Sequence, residues 1–280
     1  METFIELLKA FFIGIIQGIT EWLPVSSTGH MILFDEFVKL QVSDAFKEFF
    51  LVVIQLGSIL AVCVLFFHRL NPFSAKKSQA ERKDTLSLWG KVLVGCVPAG
   101  LLGVLLDDWF ESNFYNFVTV AIALIVYGIA FILVERKKAG KTPRVESVSE
   151  LSFRDALLIG CFQVLSLVPG TSRSGSTILG ASLLGVGRTA AAEFSFFMAL
   201  PIMAGASLLK GAKFVLSGVG MSGTEIGVLI IGLAVSFAVS LLAIRFLMDF
   251  VKRHSFEPFG WYRIALGVVV IGYWVFGKLI

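Results

Sequence analysis

Long runs of apolar residues, separated by short polar stretches, dominate the pattern of this chain. Apolar side chains make up 56% of its 280 residues, so membrane-spanning segments are expected. A helix needs roughly 17–25 largely apolar residues to cross a hydrocarbon core about 30 Å thick. Because lipid cannot hydrogen-bond an open sheet edge, each spanning run is predicted to be a helix. Six runs have the required length, at 48–67, 87–106, 117–134, 190–209, 226–248 and 262–279.

Basic residues are concentrated in two connections between these runs, and they predict how the spans are oriented. Segments 69–83 and 135–144 are rich in Lys and Arg, and such an excess is typical of cytoplasmic loops. With both loops inside, the acidic connection 107–116 falls outside, and the C-terminus is external as well. A further inner loop is indicated by Lys252, Arg253, His254 and Arg263. The net charge of +4 therefore reflects membrane topology, and we expect no nucleic acid partner.

Several features are most simply structural. The N-terminal run 1–16 contains acidic residues and no small-residue cleavage site, so we expect it to be retained rather than removed as a signal peptide. Three cysteines without metal-ligand spacing are predicted to pack as small apolar residues: Cys63, Cys96 and Cys161. Four aromatic residues are predicted to anchor or pack the last span near the membrane interface: Trp261, Tyr262, Tyr273 and Trp274.

Two polar segments interrupt the apolar pattern, QGITEWLPVSSTGH at 17–30 and QVLSLVPGTSRSG at 163–175. The predicted orientation puts the chain inside both before the second segment and at the start of the span that follows it. Segment 150–188 must therefore enter and leave the membrane on the inner face, as a re-entrant hairpin. By analogy, segment 1–40 is predicted to enter from the outer face. The N-terminus is then external, and the two hairpins point towards each other.

The two polar segments belong to an internal repeat. Gln17 corresponds to Gln163, and SSTGHMIL later aligns with SRSGSTIL. Each half, 1–134 and 150–280, contains one hairpin and three spans, and an odd number of crossings inverts the second half relative to the first. We therefore predict an all-α integral membrane protein, a single domain over 1–280. It has six transmembrane helices and two re-entrant helical hairpins in an inverted-topology repeat, with a site between the halves near the midplane.

Each polar segment is predicted to form a helix, a break and a second helix. Pro24 and Pro169 end the first helices, and Gly29, Gly170 and Gly175 allow the backbone to turn tightly. Hydroxyl side chains are preferred N-caps for the returning helices, and the segments offer Ser26, Ser27, Thr28, Thr171, Ser172 and Ser174. Two helix N-termini that face one cavity favour the binding of an anion.

The other polar side chains of these segments indicate which anion is bound. Arg173 offers a planar fork of donors suited to phosphate, and Gln17 lies one helical turn before Glu21 on the same face. A carboxylate beside an anion needs a divalent cation or a role in proton transfer, and Mg²⁺ commonly bridges carboxylates and phosphates. We therefore expect a diphosphate with a metal. His30 is a candidate proton donor or nucleophile, and Ser27 is a candidate nucleophile or phosphate-binding donor.

The motifs QGITEWLPVSSTGH and PGTSRSGSTI resemble the two signatures of the undecaprenyl-diphosphate phosphatases of the bacitracin-resistance (BacA) type. The similarity extends to EFFLVVIQLGSILAV, GCFQVLSLVPG and EFSFFMALP, so it covers nearly the whole chain. It implies a bacterial inner-membrane hydrolase that removes the terminal phosphate of C55-isoprenyl diphosphate. This reaction recycles the lipid carrier for peptidoglycan and other envelope polymers. The resemblance also implies resistance to bacitracin and dependence on a divalent cation, Mg²⁺ with Ca²⁺ as the alternative.

The resemblance further implies a role for each residue of the motifs. Many members of the family have Glu where this chain has Gln17, so one negative charge is missing and Glu21 alone carries the metal-binding role. The predicted catalytic residues are Glu21, Ser27, His30 and Arg173. The predicted substrate-binding residues are Gln17, Ser26, Thr28, Ser172, Ser174 and Thr177.

A transporter is the alternative to the enzyme. Paired re-entrant hairpins in inverted repeats are typical of secondary transporters, and a flippase of a polyprenyl phosphate lipid suits the same charges. The recycling of a carrier released outside the cell favours a site that opens towards the periplasm. The expected partners are C55-isoprenyl diphosphate and membrane lipid, and a homodimer is left open.

Overall fold

The computed structural model describes residues 1–277, without the side chains at positions 36, 107, 108, 111, 276 and 277. Within these residues the regular structure is helical, apart from one isolated β-bridge between Val145 and Val186. The α-helices are α1 (Glu2–Thr20), α2 (Ser27–Phe37), α3 (Asp44–Leu65), α4 (Phe67–Leu70), α5 (Gln79–Phe114), α6 (Phe117–Lys138), α7 (Phe153–Val164), α8 (Arg173–Leu183), α9 (Arg188–Leu216), α10 (Gly223–Arg253) and α11 (Glu257–Gly277). Two 3-10 turns, Val148–Glu150 and Leu165–Leu167, complete the set.

Seven of the described helices are long and apolar enough to cross a membrane: α1, α3, α5, α6, α9, α10 and α11. The chain is therefore an all-α, multi-pass membrane protein. Six of the seven correspond to the predicted spans, although α3 ends at Leu65, two residues before the predicted end of its span, and the predicted end of the last span, 278–279, lies outside the described residues. The seventh is α1, which we predicted as the first limb of a hairpin rather than as a span.

The helices that flank the two breaks differ in length. The 19 residues of α1 extend over about 28 Å, close to the thickness of a hydrocarbon core. By contrast, α2, α7 and α8 contain 11, 12 and 11 residues, and each extends over only about 17 Å. None of these three helices is long enough to cross a bilayer alone.

Contacts at the helix ends divide the molecule into two faces. On one face, the hydroxyl oxygens of Thr3 in α1 and Thr224 in α10 lie 3.2 Å apart, and Phe37 at the end of α2 contacts Tyr273 of α11. On the other face, the β-bridge joins the connection before α7 to the turn after α8. The pair α1–α2 therefore starts and ends at one face, and the pair α7–α8 starts and ends at the other.

The helices of segment 1–134 pack mainly against helices of segment 150–280. The helix α1 packs along α10 and α7 packs along α5, while α3 packs against α9 and α6 against α11. Close approach of α7 and α5 depends on Gly160, because a Cβ atom at this position would collide with the carbonyl of Gly95. Small residues allow such approach between helices in membranes. The first helix of each hairpin thus packs on the half to which it does not belong.

The connection between α5 and α6 is shorter than predicted. Helix α5 continues to Phe114, so most of segment 107–116, which we predicted as an external loop, is helical. No Gly or Pro stands between Gly103 and Phe114, and nothing in this stretch ends the helix. The next helix, α6, is capped by Asn116, whose side chain accepts a hydrogen bond from the Thr119 amide at 2.9 Å.

Candidate active site

The two polar segments form matched breaks between helices. After α1, residues 21–25 form a turn and α2 begins at Ser27. After α7, the 3-10 turn is followed by a further turn at residues 168–171, and α8 begins at Arg173. The predicted pattern of helix, break and helix is confirmed in both segments.

The N-caps of the two returning helices, Ser26 and Ser172, have the same geometry. Both serines have a φ angle of 73°, and each hydroxyl accepts a hydrogen bond from a glycine amide three residues later, Gly29 or Gly175. Of the three glycines at which we predicted tight turns, Gly170 turns with φ 90°, whereas Gly29 and Gly175 are helical. Positive φ in a non-glycine residue is costly and tends to mark functional sites. Four further residues predicted as caps do not cap these helices: Ser27, Thr28, Thr171 and Ser174.

Glu21 lies at the centre of the site, in the turn that follows α1. Its side chain is buried, and its Oε1 accepts a hydrogen bond from Nη2 of Arg173 at 2.9 Å. Its Oε2 accepts from Nε2 of Gln17 at 3.0 Å and from Oγ of Ser27 at 3.3 Å. The structure thus brings together the carboxylate of the first break and the guanidinium of the second.

Arg173 is held on several sides. Its Nη1 donates to the carbonyl of Ser195 in α9 at 2.7 Å and to the hydroxyl of the same residue at 3.2 Å. The guanidinium carbon lies 5.7 Å from the ring centroid of Trp22. A buried ion pair contributes little net stability, because desolvation offsets the attraction. The pair with Glu21 is therefore better explained by chemistry than by folding, and neither Ser195 nor Trp22 was predicted from the motifs.

The other hydroxyl residues of the second break support Arg173. The buried Ser174 donates to the carbonyl of Glu21 at 3.1 Å and so joins the two breaks. Thr177 is also buried, with its Oγ1 2.7 Å from Oγ of Ser195. In the predicted substrate-binding set, the partly exposed residues are Ser172 and Thr28. Ser174 and Thr177 therefore hold the scaffold around the arginine rather than face open space.

His30 is partly exposed on α2, and both of its ring nitrogens have partners. Nδ1 lies 2.7 Å from the carbonyl of Ser26, which only accepts, so Nδ1 carries a proton. Nε2 lies 2.7 Å from the hydroxyl of Tyr262 in α11, and the two rings are stacked at 5.7 Å. Among the described hydrogen bonds none joins His30 to Ser27. The hydroxyl of Ser27 points instead to Glu21, so the base beside this serine is the carboxylate.

Comparison with known proteins gives the family. A family model described as bacitracin resistance protein BacA matches residues 10–269. An undecaprenyl-diphosphatase of Enterococcus faecalis is 55% identical over 273 residues, which cover 98% of this chain and 99% of the relative. Undecaprenyl-diphosphatase 1 of Clostridium acetobutylicum is 54% identical over 272 residues, 97% of this chain and 98% of the relative. This chain belongs to the BacA family. An undecaprenyl-diphosphatase of Streptococcus pyogenes is a further relative, 55% identical over 269 residues and 96% of each chain.

Two consecutive residues of α11, Tyr262 and Arg263, reach the site of this BacA-family protein. For both residues the structure corrects the role that we predicted from the sequence. Tyr262, predicted as an interface anchor, is the partner of His30. Arg263, predicted to mark an inner loop, is fully buried and donates to backbone carbonyls of both breaks, those of Pro24, Gly170 and Thr171. Pro258 in the first helical turn was an available signal, because proline is common at helix starts. An arginine inside an apolar helix then indicates function.

The donors at the breaks fit a divalent cation that is shared with the substrate. The described residues contain no group of three or more His, Cys, Asp or Glu side chains able to hold a metal by themselves. The breaks supply one carboxylate, Glu21, together with the amide group of Gln17 and the hydroxyl of Ser27. Mg²⁺ usually takes one or two carboxylates and fills its remaining positions with water and phosphate oxygens. Such a donor set therefore suits a BacA-family protein acting on a phosphate ester or anhydride.

Proposed function

We propose that this protein hydrolyses undecaprenyl diphosphate to undecaprenyl phosphate and inorganic phosphate. The observation that carries the proposal is the contact of Glu21 with Arg173, which joins a carboxylate and a guanidinium from two helix breaks. Relatives named undecaprenyl-diphosphatase match over nearly the whole chain and support the choice of substrate. The reaction would recycle the lipid carrier of envelope polymers, and an abundance of the enzyme would give resistance to bacitracin.

The diphosphate is attracted by positive groups at the two breaks. The helices α2 and α8 both begin here, and free amides at helix N-termini favour anions. Arg173 has a fork of donors, and its present partner Oε1 of Glu21 occupies the position that a phosphate oxygen would take. When the terminal phosphate displaces Glu21 from this fork, the guanidinium stabilises the charge that develops in the transition state.

Attack on the terminal phosphorus requires an oxygen that loses a proton. Oε2 of Glu21 accepts from Ser27 and is the base, whether Ser27 attacks or a water molecule takes its place. The attacking oxygen bonds to phosphorus, the bond to the bridging oxygen breaks, and undecaprenyl phosphate leaves. Where the attacking oxygen is that of Ser27, a water molecule then hydrolyses the phosphoserine and releases inorganic phosphate. His30 is the second proton carrier, because its Nδ1 proton is fixed by Ser26 and Nε2 exchanges a proton with the leaving phosphate once Tyr262 turns aside. A phosphoenzyme at Ser27 or His30, trapped and located by mass spectrometry, would distinguish covalent from direct attack.

We also propose a divalent cation, Mg²⁺ or Ca²⁺, held by Glu21 with Gln17 and Ser27 nearby. When bound, it would neutralise phosphate charge and polarise a phosphoryl oxygen. The substitution Glu21→Gln is expected to weaken the binding of Mn²⁺, used as a spectroscopic probe, in the presence of a methylene diphosphonate. Equal Mn²⁺ affinity in wild type and variant would remove Glu21 from the metal site without reference to turnover.

We further propose that segments 1–134 and 150–280 form an inverted-topology repeat in the bacterial inner membrane, with both termini and the site opening on the periplasmic side. Two observations support this arrangement. The pairs α1–α2 and α7–α8 start from opposite faces, and the basic segment 69–83 lines a cavity of about 460 Å³ beside Ser149, on the face away from the N-terminus. An impermeant thiol reagent should label Ser27→Cys in intact cells, in a background without the three native cysteines.

The proposed activity is tested by phosphate release from undecaprenyl diphosphate, with purified protein in detergent and a divalent cation. A flippase needs two compartments and releases no phosphate in this assay, whereas a hydrolase does. The control variant is Arg245→Gln, which replaces an exposed arginine of α10 and should release phosphate at the wild-type rate. If wild-type protein that is folded and metal-loaded releases no phosphate, the enzyme is excluded and lipid transport becomes the better explanation.

A further inference from the structure

Arg263 is a fully buried arginine in the apolar helix α11, and neither sequence motif contains it. Its side chain does not form an ion pair: every salt bridge among the described residues involves other groups. Burying an unpaired charge costs several kcal/mol, roughly, in a low-dielectric environment. A protein that retains such a charge next to its site needs a compensating interaction.

The compensation comes from backbone carbonyls at the two breaks. Nη1 of Arg263 donates to the carbonyl of Pro24 at 3.1 Å, in the first break. Nη2 donates to the carbonyls of Gly170 at 2.8 Å and Thr171 at 2.9 Å, in the second break. Each break interrupts a helix and leaves carbonyls without an intrahelical partner, and at membrane depth such groups must be satisfied by protein. One guanidinium satisfies carbonyls of both breaks.

The surroundings of Arg263 are shaped to hold its fork in one orientation. The guanidinium carbon lies 5.4 Å from the ring centroid of Tyr127, a residue of the neighbouring helix α6. At Gly175 a Cβ atom would lie 3.1 Å from Nη1 of Arg263 and 3.1 Å from Cβ of Ser172, so an alanine here would require the guanidinium or the serine to shift. The corresponding glycine of the first hairpin, Gly29, has no such neighbour, and its closest atom would lie at 3.4 Å.

We propose that Arg263 is a positioning residue that sets the distance between the two breaks and makes the site electropositive. The inference rests on the proposed hydrolysis. With the breaks tied together, the carboxylate of Glu21 and the guanidinium of Arg173 stay in register for the same phosphate. The two charges of this pair cancel, so the unpaired charge of Arg263 leaves the site with one net positive charge for a diphosphate.

Two substitutions of Arg263 distinguish the contribution of its planar guanidinium fork from the contribution of its positive charge. Arg263→Lys keeps the positive charge and loses the planar fork. It is expected to keep the inhibition constant of inorganic phosphate within about threefold of wild type, while kcat falls about 100-fold because the reacting groups are misplaced. Arg263→Gln loses the charge as well, so phosphate inhibition should weaken together with kcat. A purely structural role would lower the amount of folded protein and leave kcat per folded molecule unchanged.

A matched pair of glycine substitutions tests the same proposal without removing the arginine. Gly175→Ala should push the guanidinium away and lower kcat about 10-fold or more, whereas Gly29→Ala should stay close to wild type. Combined with Arg263→Gln, the effect of Gly175→Ala should largely disappear, because both changes act on one contact.

Phosphate release by wild-type protein is measured first. Its absence would refute the proposed hydrolysis itself, and not only the proposed role of Arg263 as a clamp that ties the two breaks together. With wild type active, the clamp is overturned if folded Arg263→Gln or Arg263→Lys keeps wild-type kcat, or if Gly175→Ala and Gly29→Ala behave alike. If neither arginine variant yields a monodisperse folded protein, the glycine pair decides by itself: a selective loss in Gly175→Ala supports the clamp, and no loss refutes it.

Discussion

The two helix breaks end in similar N-caps but differ in their chemistry. Ser26 and Ser172 share their φ angle and their cap, yet the next residue is Ser27 in the first break and Arg173 in the second. The first hairpin supplies a carboxylate, a hydroxyl and an imidazole, and the second supplies a buried cation. In the proposed mechanism the first break serves proton transfer and the second serves charge stabilisation, and neither break contains all the groups of the candidate site.

The residues that precede the breaks show the same division. Gln17 donates to Glu21, whereas Gln163, its counterpart, is fully buried, and neither atom of its amide group has a hydrogen-bond partner in the described structure. Four residues after Gln163 stands Leu167 instead of a carboxylate. The side chain of Gln17 therefore holds the carboxylate of Glu21, whereas the side chain of Gln163 lowers the stability of the second hairpin.

The largest expected effect on kcat comes from replacing Arg173, the positively charged residue of the second break. Arg173→Gln should lower kcat by about 1,000-fold, the range seen when a donor that stabilises transition-state charge is removed. The measurement is phosphate release per folded molecule, with folding checked by size exclusion and thermal unfolding. The matched control is Arg245→Gln on α10. Wild-type kcat in Arg173→Gln would contradict the division of roles between the hairpins.

The two glutamines provide a smaller and more selective comparison. Gln17→Leu removes a donor to the carboxylate of Glu21 and should lower kcat by about 10- to 100-fold, since a hydrogen bond to a charged group contributes about 1.5–3 kcal/mol. Gln163→Leu removes an unsatisfied amide and should keep kcat while raising the free energy of unfolding by about 1–3 kcal/mol. Equal losses of activity in the two variants would show that the hairpins are not functionally divided.

The smallest effect on kcat is expected for substitutions of two tyrosines near the breaks, Tyr262 and Tyr127. Tyr262 contacts His30, and Tyr127 contacts Arg263, whose guanidinium carbon lies 5.4 Å from the centroid of the tyrosine ring. Tyr262→Phe removes the partner of Nε2 and should lower kcat severalfold, by less than about 10-fold, within the range for one positioned hydrogen bond. Tyr127→Phe keeps its ring over Arg263 and should stay within about twofold of wild type. A greater loss in Tyr127→Phe than in Tyr262→Phe would reverse the assignment.

Local rules were sufficient to predict much of the molecule. The apolar runs located six of the seven candidate spans, proline and hydroxyl residues located both breaks, and helical spacing placed Gln17 beside Glu21. These features depend on neighbours within a few residues along the chain. They include the helix–break–helix pattern, which the structure confirms.

Features that depend on tertiary contacts were missed or misplaced. The carbonyls of Pro24 and Gly170 meet Arg263 only because the packing of α11 against α6 brings this arginine to both breaks, and Ser195 reaches Arg173 from a different helix. Tight turns were predicted at three glycines, and of these Gly170 has a positive φ. Ser26 and Ser172 have one as well, where the capping hydrogen bonds hold the backbone. The connection after α5 was predicted too long, since charged residues continue a helix as readily as they form a loop.

The most direct test of the central claim is a double-mutant cycle on Glu21 and Arg173, measured as kcat for phosphate release from undecaprenyl diphosphate. If the two hairpins form one site, Glu21→Gln and Arg173→Gln should each lower kcat by about 1,000-fold, and the double variant should be no more than about 10-fold slower than the slower single variant. Losses that multiply fully in the folded double variant would contradict the account, because the two residues would then act independently.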